Sequence, residues 1–128
     1  MKVLEARCAY LTNAEVFQYI RQMEEEQNER ATKRGSATAL VCENLRTVQF
    51  ELLKYLRTLT NSEKVDEKTL LECIEKLAPF NLTKAERLMI INNKPSSQPE
   101  IYGCVEDIEN RLTDEQVNKL VEAVASFP

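Results

Sequence analysis

The chain has 128 residues, the size of one main domain with an appendage, and its 43% apolar and 30% charged side chains are ordinary for a globular protein. A net charge of -4 has the wrong sign for a protein whose affinity comes from neutralising phosphates, so direct nucleic-acid binding is expected to be weak or absent. Two glycines and four prolines favour helices over short strands joined by tight turns, and no apolar run approaches the roughly 20 residues that cross a bilayer.

From Val3 to Tyr10 the apolar side chains Leu4, Ala6, Cys8 and Tyr10 alternate with Glu5 and Arg7, the period of a strand with one covered face. A lone strand cannot form a sheet, so the edge of a partner's sheet is one companion for it, and an unwound lead-in to a helix is the other reading. In LTNAEVFQYIRQMEEEQNER, Thr12 is placed to cap a helix, Glu15 completes a capping box and Leu11 can staple onto Val16. Val16, Phe17, Ile20 and Met23 then share one apolar stripe. These features nominate Val3, Leu4, Ala6, Cys8, Tyr10, Leu11, Phe17 and Ile20 as partner-binding residues.

Between Gln27 and Ala39 the periodicity disappears and a polar, mobile connection is expected. A long helix is predicted from about Val41 to Leu59, where Leu45, Val48, Leu52 and Leu56 keep helical spacing. Phe50, Leu53 and Tyr55 widen its apolar surface enough to suggest contact on two sides. Thr60, Asn61 and Ser62 end that helix, and Asp66 opens another that carries Leu70, Leu71, Ile74 and Leu77 until Pro79 stops it.

The last third shows three amphipathic faces: Ala85, Leu88 and Met89; Ile101, Cys104, Val105 and Ile108; and Val117, Leu120, Val121 and Val124. Thr83 with Glu86, Ser97 with Glu100, and Thr113 with Gln116 repeat the cap-and-return pattern of Thr12 with Glu15. Pro95 stops the first of these helices and Pro99 falls in the first turn of the next. An all-α chain follows, divided into an N-terminal partner-binding arm, helix and polar loop over 1–37 and a helical domain over 38–128.

No reactive constellation accompanies these elements. There is no histidine base, no glycine-rich phosphate loop and no G-x-S-x-G elbow. Cys8, Cys42, Cys73 and Cys104 lie far from C-x-x-C spacing and are expected to be small apolar fillers in a reducing compartment, with no metal and no cofactor. Carboxylate pairs such as Glu106 with Glu109 or Asp114 with Glu115 fall on helix starts and polar faces. The scattered cations Lys84, Arg87 and Lys94 are the candidates for contact with a factor or nucleic acid.

The stretch Leu82 to Ser126, LTKAERLMIINNKPSSQPEIYGCVEDIENRLTDEQVNKLVEAVAS, resembles the C-terminal domain of the smaller stalk subunit of RNA polymerase III, a family also known as the calcitonin gene-related peptide receptor component. LTKAE with its following helix and stop, the acidic helix ending ENRLT, and the DEQVNKLV helix carry the likeness. Upstream, LTNAEVFQYI and ELLKYL extend it over most of the chain. The resemblance implies an HRDC-like helical bundle and a non-catalytic, nuclear subunit. It also implies a stalk formed with a larger OB-fold subunit on the polymerase III core, and contact with initiation factor TFIIIB. The second name keeps a different class in view, a helical signalling adaptor or receptor accessory protein.

Overall fold

The computed structural model describes residues 2–34, 42–59 and 64–128. Among the described residues all regular structure is helical: α1 (Asn13–Arg34), α2 (Glu43–Thr58), α3 (Glu67–Leu77), a short 3-10 turn (Ala78–Phe80), α4 (Lys84–Asn93), α5 (Gln98–Cys104), α6 (Ile108–Arg111) and α7 (Asp114–Ala125). The chain forms two compact units, one from Asn13 to Val65 and the other from Met1–Thr12 together with Asp66–Pro128. The expected division at 37 and 38 falls outside the described residues.

The first unit is a helical hairpin. Phe17 of α1 packs against Leu53 and Leu56 of α2, with Val16, Ile20, Leu52 and Leu59 around them. Further along α1, Met23 meets Gln49, whose buried amide donates to the thioether sulfur at 2.9 Å. Later residues of α1 thus meet earlier residues of α2, so the two helices run antiparallel. The helix α1 continues to Arg34, two turns beyond the point where a polar connection was expected to begin at Gln27. Loss of apolar periodicity there does not mean loss of helix, because Glu, Gln, Arg, Ala and Lys are good helix formers. Side-chain pairs four residues apart lead up to this stretch, Arg21 to Glu25 at 3.3 Å and Gln22 to Glu26 at 3.0 Å, and Arg30 to Glu26 at 3.8 Å ties it to the turn before. Residues 35–39 of the expected connection, and the stop at Thr60–Ser62, lie outside the described residues.

Residues 2–12 contain neither helix nor strand. The alternation from Val3 to Tyr10 therefore does not produce a strand within this chain, since a single extended segment has no neighbour to take its backbone hydrogen bonds. The lead-in reading describes the isolated chain, with α1 beginning at Asn13 directly after the buried Thr12.

The second unit holds the larger core, built from Leu77, Leu82, Ile90, Ile101, Val105, Ile108, Val117, Leu120 and Val124. The starts of α3, α4 and α7 are fixed by side chains. Asp66 accepts the Thr69 amide at 2.9 Å, and Thr83 with Glu86 and Thr113 with Gln116 form reciprocal capping boxes. The third expected box is different: Ser97 makes no capping bond, and Glu100 reaches past it to the Ser96 amide at 2.6 Å. The backbone N–H of Lys94 bonds to the Ile90 carbonyl at 2.8 Å in a left-handed cap, φ 46°, and buried Pro95 prevents continuation.

One further expectation changes. Ile101, Cys104, Val105 and Ile108 read as one helical face, yet α5 ends at Cys104 and α6 starts only at Ile108, after Asp107 at φ 50°. The break is stabilised from outside the helix. The Glu106 amide donates to Glu86 at 3.3 Å and its carbonyl accepts from Arg111 at 2.9 Å. An ion pair thus satisfies backbone groups that a continuous helix would have paired internally.

Candidate docking surfaces

The arm is open to solvent along its length. Val3, Leu4, Ala6, Cys8, Tyr10 and Leu11 are all exposed, Leu4 at 90% of its free surface. Water contact on apolar side chains is unfavourable by about 25 cal/mol per Å², so covering this segment would stabilise it. Phe17, expected beside them on the partner face, is instead 1% exposed inside the hairpin. It holds α1 against α2 and has no surface to offer. Ile20 is half-buried at the margin of the same cluster.

The hairpin presents a second apolar surface. Tyr19, Leu45, Val48 and Tyr55 are exposed. Tyr19, Met23 and Leu45 line an open groove of about 380 Å³, rimmed by Gln22, Glu26, Gln27 and Arg30. Val48 and Tyr55 lie seven residues apart and so share one face of α2. This is the unsatisfied side of the width read from the sequence. Tyr19 was missed because it lies off the stripe of Phe17 and Ile20; its spacing of four residues from Met23 is the signal that places it.

The three candidate cations do not converge. Lys84 and Arg87 lie in the first turn of α4, while Lys94 follows its end, roughly 15 Å away at 1.5 Å per residue. The Lys94 ammonium donates to the Pro128 carbonyl, and burial pushes its pKa down. It is therefore engaged within its own unit. Arg87 is half-buried, and its Nε has no hydrogen-bond partner. Lys84 is exposed.

The strongest electrostatic feature was not read from the sequence. Glu86 accepts two hydrogen bonds from Arg111, at 2.6 and 3.0 Å, while also closing its capping box on Thr83 at 2.8 Å. Arg111 also reaches the Asn81 carbonyl at 3.3 Å. The guanidinium holds the Glu86 carboxyl down at about 2. This pair joins the start of α4 to the α5–α6 break. It is saturated by protein groups, so its role is architectural.

No group of side chains able to hold a metal ion occurs among the described residues, and none of their helices is long and apolar enough to cross a membrane. Cys73 and Cys104 behave as fillers, with thiol pKa values raised by burial. Cys8 and Cys42 are exposed, so the filler expectation does not extend to them.

A chain whose open features are greasy surfaces has the character of a subunit, and comparison with known proteins gives the family. The RNA polymerase Rpb4 family matches residues 10–127. The chain belongs to that family. It is 58% identical over 129 aligned residues to the DNA-directed RNA polymerase III subunit rpc9 of Schizosaccharomyces pombe, a match covering 100% of both chains. It is 28% identical over 64 residues to the DNA-directed RNA polymerase III subunit RPC9 of Saccharomyces cerevisiae, covering 50% of this chain and 40% of that protein. These matches bear out the resemblance to the smaller stalk subunit of RNA polymerase III, and with it the reading as an accessory subunit and not an enzyme.

Proposed function

We propose that the chain serves RNA polymerase III in the nucleus by docking alone, joining a larger OB-fold subunit to form the stalk and meeting initiation factor TFIIIB at small non-coding RNA genes. The observation that carries the docking role is the exposure of large apolar side chains, on the arm and separately on a face of the hairpin. In this reading Val3, Leu4, Ala6, Cys8, Tyr10 and Leu11 lie along the partner, where the alternating arm can complete a sheet edge. Tyr19, Leu45, Val48 and Tyr55 form the second contact, edged by Ile20 and shaped from behind by Phe17. The partner-binding part thus extends beyond residue 37 to include α2, and Lys84 and Arg87 remain the candidates for factor contact.

Affinity purification of the tagged chain, followed by identification of co-purifying polypeptides, tests the assignment. Polymerase III subunits in near-stoichiometric amounts are expected, and depletion should lower transfer RNA synthesis. Unchanged transfer RNA synthesis with a receptor in the purified fraction would favour the adaptor class instead.

A further inference from the structure

One methionine sits at the seam of the hairpin with a side open to water. The Met23 thioether accepts from the amide of Gln49 across the α1–α2 contact at 2.9 Å, and Gln49 is 2% exposed. Met23 itself is half-buried and lines the open groove of about 380 Å³ with Tyr19 and Leu45, whereas Gln49 lines a different one. The sulfur therefore has two unlike sides. One lone pair is held by a buried donor, and the other is left for whatever enters the groove. That groove is larger than a water molecule needs, so a small peroxide can enter. Met89 offers the contrast: it is 46% exposed on α4, and the Asn93 amide of its own helix lies 4.0 Å from its sulfur.

We infer that Met23 is an oxidation site: a peroxide in the groove delivers one oxygen to the free side of the sulfur, and the sulfoxide spoils the face that a companion chain would cover. Hydrogen peroxide supplies the two-electron oxidation. Its O–O bond breaks as an S–O bond forms on the free lone pair, and the departing hydroxide collects the proton from the transferred oxygen and leaves as water. The thioether becomes a polar, chiral group. At 2.9 Å there is no space for an atom between the sulfur and Gln49, so the new oxygen points into the groove and one configuration at sulfur is favoured. There it stands beside Tyr19 and Leu45, where a docked apolar surface would leave it without a donor and bind about tenfold less tightly. A companion already in place would shield the sulfur, so oxidation acts on the unassembled chain. The effect on docking rests on the function proposed above; the reactivity of Met23 does not.

The test treats the purified full chain with dilute hydrogen peroxide, then with a thiol reductant that restores oxidised cysteines, and maps the peptides by mass spectrometry. Met23 should gain one oxygen, and separate treatment with the two epimer-specific sulfoxide reductases should show one epimer in clear excess. Equal epimers, or a Met23 that stays reduced while Met89 is oxidised, would overturn the inference. Circular dichroism should find the oxidised chain still helical, and unfolding would refute a local effect. Affinity for the proposed OB-fold partner should fall about tenfold on oxidation of wild type and of M89L, and recover with both reductases. In M23L, whatever its own affinity, peroxide should change nothing; a loss as large as in wild type would refute the role of Met23. Prior assembly with that partner should slow oxidation at Met23 and leave Met89 as reactive as before. A chain that oxidises at Met23 in one configuration but binds no such partner in either state upholds the site and defeats only the proposed function.

Discussion

Removing the charge at Glu86 without removing its shape should abolish one specific part of the chain's acid sensitivity. The carboxyl is 7% exposed and is held at about 2 against an ordinary value of 4.5, first by its hydrogen bonds from Arg111. At 1.36 kcal/mol for each pH unit the pair contributes about 3 kcal/mol. Since the Arg111 side chain is 31% exposed and partly screened by water, about 2 kcal/mol is the better figure. The folded carboxyl titrates below the unfolded one, so this stability is complete above about pH 5 and disappears as the pH falls towards 2. E86Q isolates the effect, because Gln116 shows at Thr113 that an amide closes a capping box equally well. Urea unfolding followed by circular dichroism should find E86Q about 2 kcal/mol less stable than wild type at pH 7, the gap closing by pH 2. A gap that stays constant across that range, or is absent at pH 7, would refute the ion-pair argument. In a cycle with R111M, the double variant should lose clearly less than the two single losses added together.

Other substitutions probe other levels of the structure. L4D on the arm and Y55E on the hairpin face should each weaken association with the proposed OB-fold partner at least tenfold in a co-purification titration, while E25K on the exposed side of α1 should not. L120A truncates a side chain with no exposure in the larger core and should cost about 2–5 kcal/mol, read from the urea midpoint. G103A should raise stability by about 0.5–1 kcal/mol, because Gly103 sits in α5 with nothing within 4 Å of an added Cβ.

Helix starts were legible because a cap is a local event. Asp66, Thr83 and Thr113 each satisfy backbone amides within three residues, so a short window contains the whole cause. Ser97 shows the limit of that window, since two adjacent serines compete for one Glu100 carboxylate and pattern does not choose between them. The split between α5 and α6 was hidden for the opposite reason. It depends on Glu86 and Arg111, 25 residues apart, and on a guanidinium reaching backbone carbonyls from a distance. For the docking surface, periodicity identified an apolar stripe on each of α1 and α2 but not which part of each the other helix covers. Phe17 and Tyr19 differ by two positions and have opposite fates, one enclosed and one open to water.

The hairpin has a thin interior, with Phe17, Leu53 and Leu56 as its main enclosed apolar residues and a groove along its flank. Two helices side by side always leave each other half bare, so a companion that supplied the missing wall would complete this unit's folding as well as its recognition. On the proposed docking role, the supply of such a protein in the cell would then follow the supply of its companion. Copies made in excess would stay open and be cleared, keeping the two chains in equal number without any regulator.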